Sequence, residues 1–120
     1  MKYTDLLVNK NESLSQAMNK IDKGGKKIVF VETEMRLVGA LSDGDIRRFL
    51  LRGGKLDSLV SEAMNTTPKF LFDTQCSGAI NYMLSNKIDA VPVVDENLRV
   101  RDVVCLNRTL CGQNRRLQRQ

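Results

Sequence analysis

Leu14, Ala17, Met18 and Ile21 recur at i, i+3, i+4 and i+7, which puts one apolar stripe on a helix. Ser13 precedes the stripe as a cap and Gly24-Gly25 follows it as a stop, so the spacing predicts an amphipathic helix over residues 13–23. Two aliphatic, β-branched segments come next, residues 27–31 and 37–41, around a short charged loop at 32–36, and these predict a strand pair. Ser42-Asp43-Gly44-Asp45 then opens a second helix, with Ile46, Phe49 and Leu50 on one face and Gly53-Gly54 at its end. The block reads helix, strand, strand, helix.

The second half repeats the first. A shift of 62 positions lays Ala17 on Ala79, Met18 on Ile80, Ile21 on Met83, Val29 on Val91 and Val31 on Val93; with the next loop one residue longer, Ser42 falls on Cys105. Two copies of so long a period predict a duplicated α/β unit, not a solenoid. Each copy would cover apolar surface that the other cannot bury alone, which predicts sheet-to-sheet packing. Residues 56–68 join the copies through a short helical stretch containing Leu59, Val60, Ala63 and Met64, followed by Asn65-Thr66-Thr67-Pro68. From Arg108 onward the repeat fails, since Leu110, Cys111 and Leu117 stand alone among polar residues, and the last residues are expected to be frayed.

Composition narrows the function more than the fold. The 120 residues are 42% apolar and 28% charged, which suits one globular domain or two half-size units. The longest apolar runs, residues 28–31 and 90–94, are far short of the roughly 18 residues of a membrane span. The start lacks a signal-peptide pattern, and a cytoplasmic location is expected. The net charge of +5 suggests nucleic acid until it is located. Arg108, Arg115, Arg116 and Arg119 lie in the final stretch, and setting them aside leaves 15 basic against 14 acidic residues. The aromatics do not alternate with basic residues as stacking platforms would, so no nucleic-acid partner is expected. The absence of histidine removes the commonest general base and metal ligand, so neither catalysis nor a metal site is expected. Three cysteines, Cys76, Cys105 and Cys111, cannot all pair, which points to reduced thiols.

Three patches together carry a family resemblance: Leu37-Val38-Gly39-Ala40-Leu41-Ser42-Asp43-Gly44-Asp45-Ile46-Arg47-Arg48, the linker Val60-Ser61-Glu62-Ala63-Met64-Asn65, and Ala90-Val91-Pro92-Val93-Val94-Asp95-Glu96. They resemble a tandem CBS (cystathionine β-synthase) domain pair, or Bateman module, over residues 8 to 106. The Ser-Asp-Gly-Asp-Ile-Arg-Arg element, with Gly24-Gly25 before it and Leu50-Leu51-Arg52-Gly53 after it, is similar to the pair preceding bacterial sugar nucleotidyltransferases. The Asp-Gly-Asp-x-Arg-Arg element also occurs in the pairs of arabinose-5-phosphate-type sugar phosphate isomerases. The implied fold class is α/β (α+β), two duplicated motifs packed sheet to sheet. Its expected boundaries are 8–55 for the first motif, 56–68 for the linker, 69–110 for a degenerate second motif with an incomplete last helix, and 111–120 for a disordered tail.

The resemblance also implies a function. Such pairs bind adenosine-containing ligands in clefts between the copies and regulate an attached or associated enzyme. Gly39, Ser42 and Asp45 match the Gly-x-x-Ser/Thr-x-x-Asp mark of a competent cleft. A carboxylate in a first helical turn can accept from ribose hydroxyls, helix N-terminal amides favour a phosphate, and Arg47 or Arg48 could pair with it. By the same resemblance the base rests against the other copy, with Thr74 and the backbone of Asp89, Ala90 and Val91 as its wall. The same Ser42 and Asp45 fit a helix cap on their own, worth about 0.5–2 kcal/mol, and the two readings are compatible. In the second copy Asp102 replaces the glycine, Cys105 the hydroxyl residue and Arg108 the carboxylate. A guanidinium has no acceptor for a hydroxyl, so that cleft is expected not to take a nucleotide. The expectation is therefore a non-catalytic, homodimeric regulatory module that takes an adenine nucleotide (AMP, ADP or ATP) as its ligand and needs no cofactor. It would control a sugar nucleotidyltransferase, a C-terminal domain of the same chain if this is a fragment. A non-binding dimerisation scaffold and the pair of a sugar phosphate isomerase are the alternatives.

Overall fold

Capping groups and apolar spacing decide where the helices fall in the computed structural model, which describes residues 2–106. A 3-10 turn at Tyr3–Leu6 leads into β1 (Leu7–Asn9), α1 (Leu14–Gly24), β2 (Ile28–Thr33), β3 (Arg36–Ser42) and α2 (Asp43–Leu51). The linker carries α3 (Val60–Ala63), and the second copy runs β4 (Leu71–Phe72), a 3-10 turn at Asp73–Gly78, α4 (Ala79–Asn86), β5 (Ala90–Val94) and β6 (Val100–Cys105). Ser13 caps α1 in a reciprocal box with Gln16, and Gly25 ends it in the left-handed conformation at φ 74°. The expected last helix of the second copy, the tail and Arg108 lie outside the described residues.

Two three-stranded sheets result, ordered β1-β2-β3 and β4-β5-β6. In each the first strand pairs parallel with the second, and the second antiparallel with the third. The sequence block of helix, strand, strand, helix therefore lacks one strand per copy. β1 and β4 have three and two residues, too few for alternation to register. The two longer strands repeat closely. Ile28 pairs with Ser42 as Ala90 pairs with Cys105, and the register shifts between Val31 and Glu32 as it does between Val93 and Val94. These pairs stand 62 and 63 positions apart, so the duplication extends to the bulge.

Alternation along the strands divides the core into three layers. Leu7, Phe30, Leu37 and Ala40 of one sheet meet Ala90, Val94, Val100 and Val103 of the other between the sheets. Val8, Val29, Val31 and Leu41 point the opposite way, onto Leu14, Ala17 and Ile21 of α1, Ile46 of α2 and Val60 of α3. Val91 and Leu71 likewise cover Ala79 and Met83 of α4. The sheets also touch at their hairpin ends: Leu37 N–H donates to Leu98 O at 2.9 Å and Val100 N–H to Met35 O at 2.8 Å, around the paired Arg36 and Arg99. Cys105 is buried between the sheets, as a small strand-end residue should be. It is disulfide-bonded, so the expectation of reduced thiols does not hold for it, whereas Cys76 is a free, exposed thiol. No helix among the described residues is long and apolar enough to cross a membrane.

Candidate functional site

Strand β3 delivers Ser42 to the start of α2, where the sequence Ser42-Asp43-Gly44-Asp45 closes a reciprocal cap. The backbone N–H of Asp45 donates to Ser42 Oγ at 3.1 Å. Asp45 Oδ2 accepts from the Ser42 N–H and from the Ser42 hydroxyl, each at 3.0 Å. Asp45 Oδ1 accepts from Arg48 Nη2 at 2.9 Å, one helical turn on. The cap predicted from spacing is therefore present, and it already engages both carboxylate oxygens.

Next to this cap lies the junction of the two copies. Ser42 stands across the β2–β3 ladder from Ile28, and the Asp43 N–H donates to Lys27 O at 3.1 Å. Lys27 and Ile28, at the start of β2, line a cavity of about 670 Å³ together with Asp89 and Ala90, at the start of β5. Lys26 is buried at this junction, and its ammonium lies 3.9 Å from Asp89 Oδ2 across the boundary between the copies. At that separation the pair is a weak contact, and a buried cation with one distant partner is an unusual feature. A second cavity, of about 950 Å³, opens between α1 and α2 and shares Gly25 and Lys27 with the first.

The residues singled out from sequence fall into separate groups. Ser42, Asp45 and Arg48 are together on the first turn of α2. Asp89 and Ala90 are together on the neighbouring inter-copy cavity. Arg47 is turned away from Asp45 and lines the cavity between α1 and α2 with Asp43. The Val91 side chain is buried against α4. Thr74 is not brought to this junction: β4 runs parallel to β5 and delivers the chain beside the far end of that strand, where Thr74 shares a hollow with Asp95 and Asn97.

Sequence reading missed the linker's part in the site. Asn65 forms a bridge with Ala40, its N–H donating to Ala40 O at 2.8 Å and its carbonyl accepting from the Ala40 N–H at 3.0 Å. A Cβ on Gly39 would stand 2.8 Å from Asn65 O and 2.7 Å from Met64 Sδ, so Gly39, three positions before Ser42, is the residue that lets the linker cross β3. The signal was present as a glycine inside a strand, which marks close approach of another backbone.

Comparison with known proteins agrees with this architecture. Residues 3–52 match the model of the CBS domain family. The arabinose 5-phosphate isomerase GutQ of Escherichia coli O6:H1 is 36% identical over 96 residues, covering 78% of this chain and 30% of the isomerase. The chain thus spans under a third of the length of this curated relative. Among solved structures, a putative archaeal homolog of g-AMPK from Methanocaldococcus jannaschii superposes with a TM-score of 0.73 at 22% identity, covering 88% of this chain and 43% of that one. A CBS domain pair solved with 5′-methylthioadenosine and S-adenosyl-L-methionine superposes with a TM-score of 0.66 at 24% identity, covering 83% of each chain. Residues 3–52 carry a CBS domain, and the described chain has the fold of a CBS domain pair.

Proposed function

We propose that the chain is a regulatory module that senses one adenine nucleotide at the cleft beside Ser42 and Asp45, without itself catalysing a reaction. The carrying observation is the Asp45 carboxylate, fixed by Ser42 at the head of α2 and one strand away from a cavity lined by both copies. A carboxylate offers acceptors to ribose hydroxyls, and Lys26 and Lys27 bring positive charge to the same junction. Asp89 and Ala90 stay in the proposed wall together with the backbone of Val91, whose side chain faces α4, whereas Thr74 drops out of it. A similarly folded pair holds adenosine-based ligands, which supports the ligand class.

The relatives support one class of controlled enzyme. GutQ is a sugar phosphate isomerase, and its similarity to this chain favours that class over the sugar nucleotidyltransferase that the sequence motifs also resembled. The module would act as a homodimer through the exposed apolar residues of its helices. One observation favours the competing scaffold reading: both oxygens of Asp45 are already hydrogen-bonded within the chain.

Calorimetry with AMP, ADP and ATP separates the two. The sensor binds one nucleotide per chain, and Asp45→Asn, which keeps size and capping ability, weakens binding by about 1.5–3 kcal/mol, as for a hydrogen bond to a charged group. Absence of binding at millimolar nucleotide would leave the scaffold reading in its place, and binding that Asp45→Asn leaves unaffected would overturn the assignment of the site to Asp45.

A further inference from the structure

We propose that Arg48 is a latch on Asp45 that competes with the incoming ribose, and is not a ligand for the nucleotide's phosphate. The inference rests on the nucleotide reading above and concerns how that same site is gated. Its basis is a count of lone pairs. A carboxylate presents about four acceptor positions, two on each oxygen. Oδ2 is committed to the N–H and hydroxyl of Ser42, and Oδ1 accepts one bond from Arg48. One position remains, whereas a ribose diol brings two hydroxyl donors. The second hydroxyl gains a place when Arg48 leaves.

The geometry makes that departure inexpensive and specific. The Arg48 side chain is 58% exposed, so its pair with Asp45 is of the solvated kind that contributes little. Its guanidinium lies over Gly44, where a Cβ would stand 3.2 Å from Nη1 and 3.5 Å from Nη2. A side chain at position 44 would ask this exposed guanidinium to give by only a few tenths of an ångström, so little besides Asp45 holds it in place. Arg47, the next residue, faces the cavity between α1 and α2, so the two adjacent arginines have different roles. Ser42, by contrast, holds Oδ2 from the far side and keeps the carboxylate aimed whether or not the latch is closed.

The test uses adenosine, which has the ribose and no phosphate, alongside AMP, titrated calorimetrically into the full chain and into two variants. Arg48→Gln removes the charge, and Arg48→Ala removes the side chain that reaches Asp45. The latch predicts that both variants bind adenosine about two- to fivefold more tightly than the native chain, the range that a surface ion pair allows. It also predicts that rising salt tightens adenosine binding to the native chain and leaves Arg48→Gln unchanged. If the native chain binds AMP while Arg48→Gln loses AMP affinity and leaves adenosine affinity unaltered, Arg48 is a phosphate ligand and the latch is overturned with the sensor reading intact. If neither ligand binds the native chain or either variant, the sensor reading falls and takes the latch with it.

Discussion

Gly39 shows how one residue joins the two halves of the chain. Its missing side chain leaves space for Met64 and for the Asn65 carbonyl, and the Ala40–Asn65 bridge forms beside it. Met64 Sδ is the end of a flexible side chain and can move, but Asn65 O is backbone, and the Asn65 N–H and carbonyl are both hydrogen-bonded to Ala40. Gly39→Ala should therefore cost about 1–3 kcal/mol through overpacking, measured by urea denaturation. An unchanged midpoint would show that the linker does not press on β3. The same residue belongs to the Gly-x-x-Ser-x-x-Asp element, and the structure gives it a second duty that needs no ligand. Ser42 and Asp45 were legible as a cap because the Ser-x-x-Asp spacing is local. The Arg48 contact follows from i, i+3 spacing, but the choice between Arg48 and Arg47 depends on what each faces, which the sequence does not contain.

At the scale of elements, the duplication predicts correspondences that hold down to single turns. Gly25 ends α1 at φ 74°, and Lys87, 62 positions later, ends α4 at φ 57°. Glycine enters the left-handed region freely, and a lysine does so at a cost of about 1–2 kcal/mol. Lys87→Gly should then stabilise the fold by up to about 1 kcal/mol, part of the relief being lost to the greater freedom of glycine in the unfolded chain. A thermal or urea midpoint that falls would contradict this account of the α4 terminus. The hairpins correspond as well: Met35 and Leu98 both sit at φ 66°, and Glu32 and Asp95 both accept from turn N–H groups. In Asp95 the backbone N–H of Arg99 is the chief cause of a carboxyl held below its ordinary range. Long helices and the paired strands were readable from periodicity, whereas β1 and β4 were not, because they exist through their parallel neighbours and not through their own pattern. That omission also misplaced Thr74, since β4 determines which end of β5 receives it.

For the whole molecule, the layers leave apolar surface outside. Leu51 is 79% exposed and Leu84 58%, with Met18 and Ile80 also exposed on α1 and α4. On α2, Ile46 is buried and Leu51 is not, which locates the uncovered apolar surface at the end of that helix. The proposed homodimer would bury this face, and Leu51→Glu should shift sedimentation toward the monomer without unfolding the chain. A native chain that sediments as a monomer at tens of micromolar would contradict it.

The central claim, that the two copies form one nucleotide cleft at the head of α2, is tested most directly by amide chemical-shift mapping during an AMP titration. The account predicts saturable shifts concentrated at Lys27, Ile28, Ser42, Asp45, Asp89 and Ala90, on one side of the junction, and little change at Thr74 and Asn97. No shifts up to millimolar AMP, or the largest shifts around Thr74, Asp95 and Asn97, would contradict it.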